Sequence, residues 1–297
     1  MNTWFRLITA LLIFSGCKAQ PAAPVLPTNK DDNTLLWEVS GAGLERPSYL
    51  FGTFHLMCKS DIHFSPALRT ALQAAKLVYM EMDMDDPSVL LGGMLLMNMK
   101  DGKELKDFYT AEEYKKVEIF FRDTIGTPLQ LFKRMKPMML ESMLYPKMMP
   151  CKTMSGVEEE LMKMAKIDKK EIKGLETIEF QSSVFDSIPY AEQAKDLLKT
   201  IDSMAAYRQY FDTMLTVYKS QQIDEIEKMF NKSEFGMEDN KDLLLDKRNK
   251  NWVIQLKKIM QEQSVFVAVG AGHLPGSMGL IQLLRKEGYT LKPLLNK

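Results

Sequence analysis

The sequence contains little histidine and cysteine, and it has no surplus of charge of either sign. Three of the 297 residues are histidine, three are cysteine, and 39 lysine and arginine side chains balance 39 acidic ones. A protein that binds nucleic acid carries clustered positive charge, so this balance argues against a nucleic-acid partner. Because histidines are so scarce, the position of each one is informative.

The N-terminus also lacks an apolar segment long enough to cross a bilayer. The apolar run at residues 7–14 is too short for that, and small residues and Cys17 follow it. The pattern resembles a bacterial lipobox, although Phe14 stands where leucine is usual. It predicts a lipoprotein signal peptide at residues 1–16. The alternative is an ordinary signal peptide in which the cysteine occurs by chance.

The residues that follow predict where the protein resides. Residues 17–33 are rich in Pro and Ala and have no hydrophobic periodicity, which is typical of a flexible tether. Lipidation of Cys17 would attach the chain to a membrane. We therefore expect a lipid-anchored protein of the bacterial cell envelope, facing the periplasm or the cell surface.

Two cysteines remain after Cys17, and export would place them in an oxidising compartment. Cys58 lies three residues after His55, and Cys151 lies shortly before Ser155. An even pair in such a compartment predicts a disulfide that holds these two segments together. Two unpaired thiols are the alternative.

Apolar, strand-like runs alternate with helical patterns along residues 34–297, which predicts a single α/β domain. We expect a central mixed sheet, largely parallel and flanked by helices, whose first two strands form a hairpin. The predicted strands are residues 34–39, 48–54, 77–84, 171–175, 265–269 and 289–294. One predicted helix begins at Pro66. Helices are also predicted within residues 85–102, 105–166, 180–263 and 279–287, and the short strand at residues 171–175 separates the second of these ranges from the third.

Residues 101–239 are predicted to form a large helical insertion that covers the ligand end of the sheet. Methionine is frequent in it, most of all between residues 135 and 154. Methionine fills irregular cores and also lines adaptable apolar grooves, so either use fits. Thr110 with Glu113, and Ser155 with Glu158, have the spacing of a capping box and predict two helix starts.

Two of the three histidines occur in the same local context. His55 and His273 each end a Gly-x-x-His segment that follows an apolar strand, and glycines there permit tight turns and positive φ. A sheet that places these strands together would bring both imidazoles to one metal ion or one substrate. The alternative is that each histidine caps or packs locally; His63 has no such context.

Two predicted strands end at a carboxylate. Glu81 follows the apolar residues 77–80 of one strand and Glu176 follows another strand, and the carboxyl ends of parallel strands form the usual ligand-binding edge. Two histidines with one or two carboxylates match the ligands of catalytic divalent metals, and a free carboxylate would serve as general base. The alternatives are that Glu81 points into solvent and that Glu176 pairs with Lys173.

A polar interruption marks the helix before the last long strand. Asn249 breaks an apolar stripe, and Arg248 lies beside it. Because a polar group on a buried face needs a partner, Arg248 is a candidate to pair with Glu81 or Glu176, or to bind an oxyanion. A solvated arginine is the alternative.

These motifs together resemble the TraB/GumN family, which includes the Tiki proteins. The resemblance covers roughly residues 35–294 and rests on five segments in the family's order: Tyr49-Leu-Phe-Gly-Thr-Phe-His55, the strand ending at Glu81, Gly174-Leu-Glu176-Thr with Gln181, Arg248-Asn249, and Gly270-Ala-Gly-His273. It implies a fold shared with erythromycin-esterase and ChaN-like proteins. For the Tiki branch it implies a metal-dependent protease that uses manganese or cobalt.

Carried over to this chain, the resemblance implies that His55, His273 and Glu81 bind a divalent metal. Glu81, Glu176 and Arg248 would be the catalytic groups. We therefore expect an envelope-anchored metal-dependent hydrolase of peptides or proteins, and the same ligands also suit zinc. The rival function is a haem- or iron-binding lipoprotein without catalysis. A metal-independent esterase that uses His and Glu directly on water is a further alternative.

Overall fold

The computed structural model describes residues 33–86, 92–93, 96–231 and 240–297. The predicted signal peptide, Cys17 and nearly all of the tether lie outside the described residues, as does much of the helix predicted at residues 85–102. Within the described ranges, no helix is both long enough and apolar enough to cross a bilayer.

A six-stranded sheet forms the centre of the molecule, with the order β6-β4-β7-β2-β1-β8. Its strands are β1 (Leu36–Gly41), β2 (Ser48–Thr53), β4 (Leu77–Met82), β6 (Ile172–Glu176), β7 (Val265–Gly270) and β8 (Tyr289–Pro293). The four neighbours β6, β4, β7 and β2 run parallel. β1 pairs antiparallel with β2 and with β8, and this confirms the predicted hairpin and the predicted mixed, largely parallel α/β sheet.

Helices cover the sheet, and strand β7 shows how completely. Residues 265–269 of β7 are all buried, and the strand consists mainly of Val with Phe266 and Ala268. Such a continuous apolar run is typical of a parallel strand that is covered on both faces. The edge of the sheet formed by the carboxyl ends of β2, β4, β6 and β7 is called the carboxyl edge below.

The described helices begin and end as follows. They are α1 (Pro66–Ala74), α2 (Ala111–Phe120), α3 (Pro137–Ser142), α4 (Tyr145–Met148), α5 (Val157–Ile167), α6 (Ile178–Asp186), α7 (Tyr190–Asp202), α8 (Met204–Lys219), α9 (Ile223–Asn231), α10 (Lys247–Glu262) and α11 (Leu280–Lys286). At α1, Ser65 Oγ accepts from the backbone N–H of Leu68. At α2, Thr110 and Glu113 form the predicted capping box.

The helices between β4 and β7 have a hydrophobic core of their own. Its buried members are Met99, Leu105, Val117, Phe121, Leu129, Leu140, Leu144, Met148, Leu197 and Tyr207. Met135 and Met143 pack against this core, so these methionines serve as core residues. Strand β6 lies between two runs of these helices and forms one edge of the main sheet.

A disulfide and a short strand pair join the segment after β2 to the start of α5. Cys58 and Cys151 are bonded, with an S–S distance of 2.11 Å, as the cysteine pair predicted. Next to the bridge, β3 (Met57–Cys58) pairs antiparallel with β5 (Met154–Ser155). The backbone N–H of Val157 donates to the carbonyl of Phe54. The loop that carries His55 is therefore attached at both ends.

Candidate active site

The parallel strands place four of the predicted residues along the carboxyl edge. Glu176 ends β6 and Glu81 lies near the end of its neighbour β4. His273 follows β7, and His55 follows β2. The fifth predicted residue, Arg248, comes from the first turn of α10. Glu81, Glu176, Arg248 and His273 meet and are called the Arg248 cluster.

Arg248 is the centre of this cluster. Its Nε and Nη2 donate to Glu176, at 3.0 Å to Oε1 and 2.8 Å to Oε2 respectively. Nη2 also donates to Glu81 Oε2 at 2.6 Å. The guanidinium carbon lies 4.8 Å from the centroid of the Trp252 ring, and the residue is buried. Arg248 is therefore a buried partner of both carboxylates, and the solvated alternative is wrong.

Glu81 is held as an ionised carboxylate. Oε1 accepts from the backbone N–H of Gly270 at 2.8 Å, and Oε2 also accepts from Gln181 Nε2 at 3.3 Å. Burial by itself would raise the pKa of Glu81. Attraction to His273 when protonated, to Arg248 and to His55, with the bond from Gly270, outweighs burial and lowers the pKa to about 2. Glu81 does not point into solvent.

Glu176 responds in the opposite direction. Burial raises its pKa and outweighs the hydrogen bonds and positive charge of Arg248, while the negative charge of Glu81 adds to the rise. Lys173 does not pair with it, because its ammonium lies 3.4 Å from Glu171 instead. The two carboxylates bound by one guanidinium thus differ in their affinity for a proton, and Glu176 has the higher affinity.

His273 is neutral and has one defined tautomer. Asn249 Nδ2 donates to the carbonyls of His273 and Met278, so its Oδ1 is left to accept from His273 Nδ1 at 2.7 Å. The lone pair is then on Nε2, which lies 3.3 Å from Arg248 Nη1 and 3.8 Å from Glu81 Oε1. Burial lowers the pKa of His273 to about 3 against the attraction of Glu81.

His55 lies outside the Arg248 cluster. Its side chain is 76% exposed, and Nδ1 lies 2.8 Å from Oε1 of Glu158. The hydrogen bond with Glu158 raises the pKa of His55, although water around the exposed ring weakens the pair. In the parts of the chain that the structure describes, no three His, Cys, Asp or Glu side chains are arranged to hold a metal. The charge of His55 nevertheless affects the pKa values of both Glu81 and His273, and binding of one ion by both histidines stays a prediction.

The motif glycines act through close approach, and the expectation of positive φ is wrong for them. Positive φ occurs at other glycines, such as Gly41 and Gly276. A Cβ at Gly52 would come within 2.8 Å of Leu274 Cδ1, and one at Gly270 would lie 3.2 Å from Glu81 Oε1. Their missing side chains make room for the strand ends and for the carboxylate.

A model of the TraB/PrgY/gumN family matches residues 35–293, which is most of the chain. This chain belongs to the TraB/PrgY/gumN family. A zebrafish (Danio rerio) protein named "Metalloprotease TIKI1" is 22% identical over an alignment 331 residues long, which covers 94% of this chain and 65% of the relative. The human (Homo sapiens) protein of that name is 27% identical over 119 residues, which cover 38% of this chain and 23% of the relative.

The chain spans less than two thirds of the length of both relatives. No solved structure gives a significant match. The assignment of this chain to the TraB/PrgY/gumN family therefore rests on its sequence.

The sequence pattern indicates the wrong role for one residue of this family member. Glu158 was predicted to complete a capping box with Ser155, but α5 begins at Val157 with Gly156 as its N-cap. Ser155 Oγ instead donates to Glu159 and Glu160. Glu158 is free of the cap because its carboxylate is occupied by His55 and by Thr53. No sequence signal distinguishes it from the two glutamates that follow.

Buried His273 should make the metal-free protein less stable in mild acid. Its pKa is about 3 in the folded chain and near 6.5 unfolded, so the unfolded chain binds more protons between these values. The contribution of His273 to the free energy of unfolding should therefore fall by about 1.4 kcal/mol per pH unit once the pH is well below 6.5. The raised pKa of His55 has the opposite effect: its contribution to the free energy of unfolding is lost as the pH rises from about 6.5 to about 9.

The measurement is denaturant unfolding at a series of pH values, comparing the wild type with His273→Gln. The difference between the two curves should shrink as the pH falls, because the variant has no buried imidazole to protonate. His63→Gln is the control, since His63 is exposed. Parallel curves for the wild type and His273→Gln would contradict a neutral, buried His273.

Proposed function

We propose that this protein is a divalent-metal-dependent hydrolase of peptide bonds that acts in the bacterial envelope. One observation carries the proposal. Nε2 of the neutral, buried His273 carries a lone pair and lies 3.8 Å from Oε1 of ionised Glu81 at the carboxyl edge. The name "Metalloprotease TIKI1" of the two relatives supports the same class of reaction.

The donor atoms suit a catalytic divalent cation. Imidazole nitrogen and carboxylate oxygen are ligands for manganese, cobalt and zinc. His273 Nε2 and Glu81 Oε1 are two such donors, and an ion there would replace the contact from Arg248 Nη1. Arg248 would keep its bonds to Glu176, Glu81 and the carbonyl of Leu244. His55 is the third donor, because its charge already affects the pKa values of both Glu81 and His273.

The remaining residues have roles that follow from their contacts. When bound, a divalent cation polarises a carbonyl and lowers the pKa of a water molecule. Glu176, with its raised pKa, is suited to hold and transfer a proton. Arg248 fixes both carboxylates and supplies positive charge in a buried site, where charge stabilisation is strongest.

The location in the envelope rests on the N-terminal sequence. A signal peptide at residues 1–16 and a lipid on Cys17 would attach the protein to a membrane, with residues 17–33 as the tether. The substrate class that suits this place is a peptide or an exported protein. Mass spectrometry of the purified N-terminus checks this part of the proposal by itself.

The test combines metal binding with peptide cleavage in the full-length protein. We expect bound Mn²⁺, detected by electron paramagnetic resonance, and cleavage of a peptide library that stops on chelation. His55→Ala and Glu81→Gln should lose both properties, while His63→Ala should keep both. Full cleavage and unchanged metal content in His55→Ala would refute the proposal. Cleavage that persists in chelator but is lost in Glu81→Gln would favour metal-free hydrolysis.

A further inference from the structure

Glu158 connects the loop of His55 to helix α5. One of its oxygens, Oε1, lies 2.8 Å from His55 Nδ1 and accepts from Thr53 Oγ1 at 2.6 Å. We infer that Glu158 is a positioning residue: it keeps the proton of His55 on Nδ1 and so leaves the lone pair of Nε2 free to bind the cation. The part about the cation rests on the proposed function, whereas the orientation of the ring does not.

The surroundings of Glu158 keep it in place. It lies in the first turn of α5, where the helix dipole favours a carboxylate. The bond from Thr53, the last residue of β2, ties that carboxylate to the carboxyl edge. The Glu158 side chain is only 20% exposed, so its position is more restricted than that of His55.

The backbone next to Glu158 is shaped to receive the histidine loop. A Cβ at Gly156 would come within 2.7 Å of the carbonyl oxygen of His55. Val157 N–H donates to the carbonyl of Phe54 at 3.0 Å. Only a residue without a side chain allows this approach, so Gly156 brings the start of α5 against His55 and places Glu158 within reach of its ring.

His273 is oriented in the same way by a different helix. Asn249, in the first turn of α10, accepts from His273 Nδ1 through its Oδ1. Each Gly-x-x-His imidazole therefore meets a side-chain oxygen from the first turn of a helix. Histidines that bind metals generally donate their second ring N–H to such an oxygen, which fixes the tautomer and the direction of the lone pair.

The simpler explanation is that Glu158 only adds negative charge to the start of α5. Glu159 and Glu160 already supply that charge, and both accept from Ser155 and pair with Lys163. Among the contacts of the described residues, neither reaches His55. Glu159→Ala is therefore a matched control that removes the same charge from the same turn.

The first measurement needs no metal. Long-range nitrogen NMR spectra of metal-free, full-length protein report the tautomer of each imidazole, under alkaline conditions in which the rings are neutral. Three histidines give few signals, and His63→Gln and His55→Gln assign them. We expect the proton of His55 on Nδ1 in the wild type, in Glu158→Gln and in Glu159→Ala, and a shift towards Nε2 in Glu158→Ala.

The second measurement is the affinity for Mn²⁺, followed by electron paramagnetic resonance in the same proteins. We expect Glu158→Ala to bind about 10–100-fold more weakly, the usual effect of losing such an outer contact. Glu158→Gln keeps an oxygen acceptor and should stay within a few-fold of the wild type, as should Glu159→Ala. Rescue by glutamine separates orientation of the ring from the effect of charge.

Each outcome decides the inference. A changed tautomer with weaker binding in Glu158→Ala supports it. An unchanged tautomer in Glu158→Ala overturns it, and so does unchanged Mn²⁺ affinity despite a changed tautomer. If the wild type binds no Mn²⁺, the proposed function fails and the role in cation binding falls with it. The tautomer still decides whether Glu158 orients the ring.

Discussion

Replacing Arg248 with methionine should lower the free energy of unfolding by about 3–5 kcal/mol, which is typical of removing one partner from a buried ion pair. The side chain is buried and supplies hydrogen bonds to both Glu81 and Glu176. Without it, two buried carboxylates have no positive partner, so each is either ionised at an energetic cost or protonated. The measurement is urea unfolding at neutral pH.

Two comparisons make this prediction specific. Arg122→Met removes an exposed arginine that pairs with the adjacent Asp123, and it should change stability little. Adding Glu176→Gln to Arg248→Met should restore part of the loss, because a neutral amide replaces an unpaired charge. A loss in Arg248→Met no larger than that in Arg122→Met would contradict a buried ion-pair network.

Replacing Cys58 and Cys151 together with serine should lower the free energy of unfolding by about 2–5 kcal/mol. The bridge closes a loop with a sequence separation of 93, so its loss leaves the unfolded chain far more conformational freedom. The check is unfolding of the wild type and the double variant, each with and without reductant. Reductant should lower the stability of the wild type alone.

The same replacement should also affect the histidine loop. The bridge lies next to the β3–β5 pair and three residues after His55, so its loss should loosen the contact between His55 and Glu158. Hydrogen exchange should become faster in residues 54–59 and 151–158, with β7 unchanged as the internal control. Equal stability of the wild type with and without reductant would contradict a structural bridge.

Much of the fold was predictable from local pattern. The apolar, β-branched run at residues 265–269 predicts a buried strand, and Ser65 with Pro66 predicts a helix start, because both depend on neighbouring residues alone. The cysteine pair and the polar break at Arg248 and Asn249 were also visible in the sequence. The cysteines predicted each other as partners, whereas the spacing in the sequence left open whether Arg248 would contact Glu81 or Glu176.

The candidate site was predictable only as a set of residues at strand ends. The sequence by itself determined that Glu81, Glu176 and His273 lie at or near the carboxyl ends of strands, since hydrophobic periodicity and glycine positions indicate within about two residues where a strand stops. Parallel strands then have their carboxyl ends at one edge. That rule brings the three residues near each other, but it does not specify which side chains touch.

Tertiary structure alone decided the partners. Arg248 joins both carboxylates because the first turn of α10 lies within hydrogen-bonding reach of Glu81 in β4 and Glu176 in β6. Glu158 reaches His55 because Gly156 lets α5 approach that loop. Three consecutive glutamates look equivalent in the sequence, and one of them faces the histidine. A hydrogen bond depends on atoms within about 3 Å of each other, and contacts between distant residues bring them that close.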